Sequence, residues 1–295
     1  MSCCKNKSEY IVAIPARYAS TRFPGKPLVL VGGIPMIKRV CMQALKSDAK
    51  MVVACIDDER VESVLEGMDK VRVCMTSTDC NCGTDRLAQM IEKMQIDPET
   101  IIVNVQGDEP LINPEHIKQV ATLLESSKAD MSTLSFKIDN VKDVFDPNCV
   151  KVVFDKNGKA LFFSRAPIPY ERENFKQKDI TSLCFDHYHH IGIYAYKAGT
   201  VLKYSKMAQT TLEKSESLEQ LRLMENGMSI AVGVALNPPE TGVDTKEDLE
   251  RINKILENQN SKCYPLHCII FFRDRIKASI RNYAIYCCNV NILVR

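Results

Sequence analysis

A chain of 295 residues with a formal charge of +2 has room for one large α/β domain or two smaller ones, and its mixed charges leave no general nucleic-acid or membrane footprint. Its thirteen cysteines, scattered without regular spacing, read as reduced cytosolic thiols. Met1 to Ser8 is polar without an apolar core, so no signal peptide is expected, and no apolar run approaches the ~20 residues that cross a bilayer, so a soluble cytoplasmic protein is expected.

The first element is an apolar strand from Ile11 to Ile14 that empties into a turn carrying Arg17, Arg22 and Lys26, with the hydroxyls of Ser20 and Thr21. Three cations and two hydroxyl donors after a strand suit a polyphosphate, and Pro24, Gly25 and Pro27 restrict or free the backbone between them. It is not a Walker loop, because Pro27 stands where Ser or Thr follows the lysine. Val29–Val31 with Gly32-Gly33 reads as a short excursion and turn, and the third glycine of a dinucleotide fingerprint is missing, which excludes a Rossmann dehydrogenase.

Pro35 then opens an amphipathic helix with Met36, Ile37, Val40, Ala44 and Leu45 on one face. Strand runs at Met51–Ile56, Val71–Met75 and Ile101–Val105 alternate with helical spacings at Val61, Val64, Leu65, Met68, at Leu87, Met90, Ile91, Met94, and at Ile117, Val120, Ala121, Leu124. Such alternation predicts an α/β fold with a mostly parallel sheet and helices on both faces. In the middle, Val150–Phe154 and Ala160–Ser164 flank Asp155-Lys156-Asn157-Gly158-Lys159, a hairpin signal that turns the sheet antiparallel. Arg165 to His190 reads as a long connection or lobe. A strand at Ile191–Tyr196, a helix at Ser217–Met224, a strand at Ile230–Val234 and a helix at Thr245–Leu256 follow, the last capped by Thr245 with Asp248. Residues 8–258 are expected to form one domain, with about 150–200 as its smaller lobe. The remainder, 259–295, reads as an appended extension, with a basic amphipathic helix around Ile276, Ile280, Tyr283 and Cys287 as the other reading.

Two carboxylates follow strands: Asp108 in VQGDEP and Asp244 in TGVDT. Ligands of open α/β sheets collect at the carboxyl ends of strands, so both point at one site, where two Asp opposite a triphosphate suffice for Mg²⁺. One such Asp alone is better explained as a helix or turn cap; the pair together with the cationic loop favours the metal. Arg165, His190, Tyr194, Glu219 and Gln220 form a second polar set suited to a carboxylated or hydroxylated substrate. His187, His189 and His190 lack a companion spacing for zinc, and Cys80-Asn81-Cys82 and Cys3-Cys4 lack a second half, so these read as plain side chains.

The stretches IPARYASTRFPGKPL, CMTSTDCNCGTDRLA, VNVQGDEP, KALFFSRAPIPY, HIGIYAY, LEQLRLMENG and TGVDTKEDLERI stand in the order and spacing of a known family. Across roughly 9–256 the chain resembles the 3-deoxy-manno-octulosonate cytidylyltransferases, or CMP-Kdo synthetases. That resemblance implies a nucleotide-diphospho-sugar transferase fold, Rossmann-like, and a homodimer built partly through the middle lobe. It also implies the reaction of CTP with Kdo to CMP-Kdo and pyrophosphate, serving lipopolysaccharide or related polysaccharide synthesis. Arg17, Arg22 and Lys26 would hold the phosphates, with Ala16 against the nucleotide and the segment Thr76 to Asp85, including Thr76, Gly83 and Thr84, near the cytosine and ribose. Asp108 and Asp244 would bind Mg²⁺, and Gln106, Arg165, His190, Tyr194, Glu219 and Gln220 would surround the sugar acid. Ser77 and Cys82 depart from the family's frequent Arg and Ser, and the tail after Glu257 has no counterpart in it.

The implied chemistry is in-line attack of the Kdo anomeric hydroxyl on the α-phosphorus of CTP, without a covalent enzyme intermediate. Rival readings are a cytidylyltransferase for another sugar acid, such as a CMP-sialic acid synthetase, and a nucleotide-binding homologue that has lost catalysis.

Overall fold

Tyr10–Ala16 forms strand β1 of the computed structural model, which describes residues 9–19, 23–80, 82–240 and 242–262. Its side chains alternate between two cores: Tyr10, Val12 and Ile14 enter one, and Ile11 and Ala13 the other. A strand covered on both faces needs apolar residues at every position, and that is why this run shows no polar alternation. The loop after it leads into a small hairpin, β2 (Leu30–Val31) and β3 (Ile34–Pro35), then α1 (Met36–Ala44). The βα units follow as expected: β4 (Met51–Ile56), α2 (Glu59–Leu65), β5 (Val71–Met75), α3 (Gly83–Lys93), β6 (Ile101–Asn104) and α4 (Pro114–Ser126). Asp58 and Asn113 cap α2 and α4 by accepting from the N–H groups of Arg60 and Glu115.

A strand absent from the sequence reading comes next, β7 (Met131–Lys137), followed by the short helix α5 (Val141–Phe145). The hairpin is β8 (Lys151–Phe154) with β9 (Ala160–Ser164). β10 (Tyr188–Lys197) starts earlier than expected and takes His189 and His190 into the strand. Then come α6 (Ala198–Tyr204) and α7 (Thr211–Glu216), also unexpected, and α8 (Gln220–Glu225), β11 (Ile230–Val234) and α9 (Lys246–Lys262). The helix expected from Ser217 begins three residues later, because Ser217 adopts the left-handed conformation, φ 52°, and ends α7 instead. Thr245 and Asp248 form the expected cap: the Thr245 hydroxyl accepts from the Asp248 N–H at 3.1 Å, and Asp248 Oδ2 accepts from the Thr245 N–H at 3.1 Å.

The strand order is β11-β7-β10-β6-β1-β4-β5, with the hairpin attached through β8 to β10. β1, β4, β5 and β6 pair in parallel, whereas β10 runs antiparallel between β6 and β7. Helices α1, α2 and α4 supply Ile37, Val40, Val61, Ile117 and Val120 to one core; α3, α6 and α8 supply Leu87, Met90, Val201 and Leu221 to the other. Each such buried side chain contributes roughly 1.5–3 kcal/mol of transfer free energy, so these two layers hold the strand ends rigidly in place.

The chain divides into two compact units, Met1–Asn253 and Lys254–Arg295. The amphipathic-helix reading of the tail falls on residues outside those described.

Candidate active site

The carboxyl ends of β1 and β6 and the start of α3 surround a cavity of about 390 Å³. Ala16 and Arg17 leave β1 into it, Gly107 and Asp108 follow β6, Gly83 opens α3, and Lys26 and Asp244 also line it. The close approach of the first two chains depends on glycine: a Cβ at Gly107 would lie 2.7 Å from the Pro15 carbonyl oxygen. Gly25, at φ 69°, turns the cationic loop into the 3-10 turn Lys26–Leu28 and so aims Lys26 inward.

Lys26 Nζ donates to Asp108 Oδ2 at 2.6 Å and to Asp244 Oδ1 at 3.0 Å. The two acids that the sequence paired therefore converge on one cation, although 136 positions separate them in the chain. Lys26 is largely buried, with 14% of its side chain exposed, against 35% for Asp108 and 56% for Asp244. Beside them the Glu109 carboxyl is pushed up to about 8, first by burial and then by the charge of Asp108. Val243 N–H donates to the Asp108 carbonyl at 2.9 Å, which ties the two acidic loops together through their backbones.

Sequence reasoning overlooked Asp57 and Arg86. Arg86 lines the cavity, pairs with Asp57 Oδ2 at 2.7 Å, and donates to the Thr76 hydroxyl at 2.7 Å. Asp57 Oδ1 in turn accepts the Tyr18 N–H at 2.8 Å. One buried ion pair thus joins the cationic loop to the Thr76–Asp85 segment. The available signals were the charge of Arg86 on the apolar side of α3 and the position of Asp57 immediately after a strand. Cys82 is the N-cap of α3, in a capping box with Asp85, where it takes the place usual for a hydroxyl. Burial first, then Glu219, pushes its thiol up to about 11. Of the cationic trio, Arg17 and Lys26 line the cavity, while Arg22 lies outside the described residues, as do Ser20 and Thr21.

A second compartment of about 240 Å³ adjoins the first, and Gly83, Gln106 and Glu219 border both. Its walls carry Thr84, Tyr194 and Gln220. Tyr194 OH donates to Gln220 Oε1 at 3.4 Å, and the Gln220 Nε2 group is buried without a protein partner. Burial raises the Glu219 carboxyl, and its backbone carbonyl accepts from Tyr204 OH at 2.7 Å.

Two residues of the expected substrate set do not line either compartment. His190 is buried beneath Tyr194, the ring centroids 5.5 Å apart, with its Nε2 3.0 Å from the Thr133 hydroxyl. Burial, then neighbouring His189, pushes His190 down to about 3. Arg165 turns to backbone instead, donating to the carbonyls of Glu216 at 2.6 Å, Pro147 at 2.9 Å and Ser217 at 3.4 Å. Arg222 is likewise engaged away from the cavities, donating from Nε to Glu213 at 2.7 Å.

A family model described as Cytidylyltransferase matches residues 11–230. The chain is 50% identical over 247 residues to a 3-deoxy-manno-octulosonate cytidylyltransferase of Vibrio cholerae serotype O1, covering 84% of this chain and 97% of that one. It is 49% identical over 254 residues to the enzyme of the same name from Histophilus somni, covering 84% and 99%. Among solved structures it is similar to a CMP:2-keto-3-deoxy-manno-octonic acid synthetase complexed with CTP, at TM-score 0.76 and 35% identity, covering 85% of this chain and 100% of that one. A 4-diphosphocytidyl-2C-methyl-D-erythritol synthase from Anaerococcus prevotii shares the fold at TM-score 0.53 and 14% identity, covering 84% of this chain and 99% of that one.

Proposed function

We propose a direct two-substrate mechanism for a chain that belongs to the 3-deoxy-manno-octulosonate cytidylyltransferase family, and the roles of its residues follow from that membership. It is a nucleotidyltransferase of nucleotide-diphospho-sugar transferase fold that activates Kdo with CTP, giving CMP-Kdo and pyrophosphate. The observation that carries the assignment of roles is the adjacency of two polar compartments, one lined by Arg17, Lys26, Asp108 and Asp244, the other by Tyr194 and Gln220.

In the larger compartment Arg17 and Lys26 hold the triphosphate and Ala16 lies against the nucleotide; Arg22 is assigned to the same phosphates by family membership alone, and Thr76, Gly83 and Thr84 belong to the segment assigned to base and ribose. In the smaller one Gln106, Glu219, Tyr194 and Gln220 hold the sugar acid. His190 acts by supporting Tyr194 from below. Arg165 acts by fixing the Glu216–Ser217 turn from which Glu219 and Gln220 enter the site. Glu219 and Gln106 border both compartments, so the two reactants meet at these side chains. Holding them together converts a bimolecular encounter of two anions into an oriented reaction, the largest service such a site can provide.

Asp108 and Asp244 fit a divalent cation. They already share one ammonium, so a single cation reaches both, and an all-oxygen set completed by phosphate oxygens and water suits Mg²⁺. Among the described residues no three His, Cys, Asp or Glu side chains form a ready-made cage, which leaves room for substrate oxygens in that set. When bound, Mg²⁺ would screen the repulsion between the substrates and acidify the sugar hydroxyl. Lys26, which holds both carboxylates and lines the compartment assigned to the triphosphate, would then turn to the phosphates. Pyrophosphate leaves opposite the attacking hydroxyl, and Arg17 and Lys26 stabilise the charge that develops on it.

One catalytic domain, 8–258, carries these roles, and the product serves transfer of Kdo into lipopolysaccharide or a related polysaccharide. The hairpin and the connection after it form a homodimer contact; exposed Leu161, Tyr170 and Phe185 on this lobe support that reading. Cytoplasmic residence is supported by the free state of all seven described cysteines, and no described helix is long and apolar enough to cross a membrane. Pyrophosphate release from CTP, measured with and without Kdo and with and without Mg²⁺, tests the function: release is expected only when all three are present. Release that ignores Kdo, or that needs another sugar acid, would overturn it.

A further inference from the structure

Asn104 is the last residue of β6, paired with Ala13 of β1 on one side and Tyr194 of β10 on the other, and it lines the smaller compartment. Only 3% of it is exposed, and its Oδ1 has no hydrogen-bond partner. A buried acceptor left unmade costs about 1–3 kcal/mol, a penalty that a ligand donor in the cavity relieves.

The orientation of the amide is set by what lies behind it. Asn104 Nδ2 donates to Tyr196 OH at 3.1 Å. Thr84, which lines the same compartment, donates from its hydroxyl toward Glu219 Oε2 at 3.5 Å. With Nδ2 engaged by Tyr196, the carbonyl oxygen is the amide atom of this cavity-lining residue that is left without a partner. Burial keeps the Tyr196 hydroxyl protonated and able to donate. Across the same compartment Gln220 Nε2 is a buried donor without a partner. One unpaired acceptor and one unpaired donor in one small cavity match the hydroxyls of a polyol, each of which donates once and accepts besides.

We propose that Asn104 is a specificity-determining residue that reads one hydroxyl of the sugar acid through Oδ1, oriented for this by Tyr196. This deepens the assignment of the smaller compartment to the sugar acid and rests on it.

The test is steady-state kinetics on the full chain with CTP, Mg²⁺, Kdo and a panel of monodeoxy Kdo analogues. Asn104→Leu is expected to raise KM for Kdo about ten- to a hundredfold, the range for leaving one buried partner unpaired, with KM for CTP within about twofold. One monodeoxy analogue is expected to cost the unmodified enzyme a similar factor and the variant nothing further. A parallel rise in KM for CTP, or an unchanged penalty for every analogue in the variant, would overturn the proposal. Tyr196→Phe provides a milder second variant: it is expected to shrink the penalty of that same analogue, and an unaltered penalty would count against the role of Tyr196 in aiming the amide. Pyrophosphate release without any Kdo dependence in the unmodified enzyme would instead remove the sugar-acid reading of the whole site.

Discussion

The Arg86 guanidinium and the Asp57 carboxylate meet at 2.7 Å with only 3% and 5% of their side chains exposed. Because Asp57 also holds the Tyr18 N–H, the pair is the joint between the cationic loop and the Thr76–Asp85 segment. Removing one partner of a buried pair leaves an uncompensated charge, which costs about 3–5 kcal/mol. Asp57→Ala is therefore expected to lower the urea midpoint substantially and to raise KM for CTP more than KM for Kdo. A variant of unchanged stability would show that the pair is dispensable.

Asp108→Asn and Asp244→Asn are expected to behave differently from Asp57→Ala. Both carboxylates sit at the cavity mouth, where loss of one costs little folding energy, so thermal unfolding should shift by only a few degrees. Turnover should fall by at least about a hundredfold, since an electrostatic group acting at the reacting phosphate is worth 10²–10³ or more. Pyrophosphate release across a Mg²⁺ titration checks this. Recovery of full turnover at saturating Mg²⁺ would remove either Asp from the metal role.

Lys26 competes for the carboxylates that we assign to the divalent cation. Lys26→Gln is accordingly expected to bind Mn²⁺ more tightly than the unmodified protein in the absence of CTP, read by paramagnetic relaxation of water, while turning over CTP more slowly. Weaker Mn²⁺ binding in the variant would contradict the exchange of Lys26 between carboxylates and phosphates.

Acid stability should depend on the lobe after the hairpin. Burial works against the Glu171 charge, but hydrogen bonds from Asn174, the Cys184 and Phe185 N–H groups and His187 outweigh it and hold the carboxyl at about 2. A folded pKa below the unfolded one contributes stability that is complete above the ordinary carboxylate range, about 4.5, and is lost as pH falls from there toward 2. Glu171→Gln is thus expected to be less stable than the unmodified protein at pH 7, with the gap narrowing below pH 4.5. Chemical denaturation at a series of pH values measures the gap, and a constant difference would contradict the assignment.

The curated relatives match over 84% of this chain while being covered almost entirely themselves, so the catalytic unit is expected to work without the tail. A chain ended after Glu257 should retain Kdo-dependent pyrophosphate release. Loss of folding on truncation would make the tail part of the core.

What the sequence made legible follows from where polar groups sit. The parallel strands β1 and β4 are apolar throughout because helices cover both of their faces, so they stand out. β7 does not: Ser132, Thr133 and Ser135 are wholly buried in it, and a hydrophobic scan passes over them. Their hydroxyls are satisfied by the carbonyls of Val120 at 2.8 Å, Ile193 at 2.8 Å and Gly233 at 3.3 Å. Thr133 also bonds the Ile191 carbonyl at 3.1 Å, across the place where β10 shifts register. No periodicity announces a strand whose polar residues pair with distant backbone. Similarly, the convergence of Asp108, Asp244 and Lys26 was legible because each follows a strand or stands in a cationic turn, whereas Arg165, expected beside the sugar acid, donates to carbonyls at the Glu216–Ser217 turn. Asn104 lay unremarked within VNVQGDEP, since only the cavity shows that its oxygen is unpaired.

The stereochemical course of cytidylyl transfer tests the direct two-substrate mechanism most closely. With CTP carrying a sulfur of defined configuration at the α-phosphorus, a single in-line displacement by the Kdo hydroxyl inverts that centre. Inversion in the CMP-Kdo analogue is the expected result; retention, which requires two displacements and a nucleotide-bound enzyme, would contradict it.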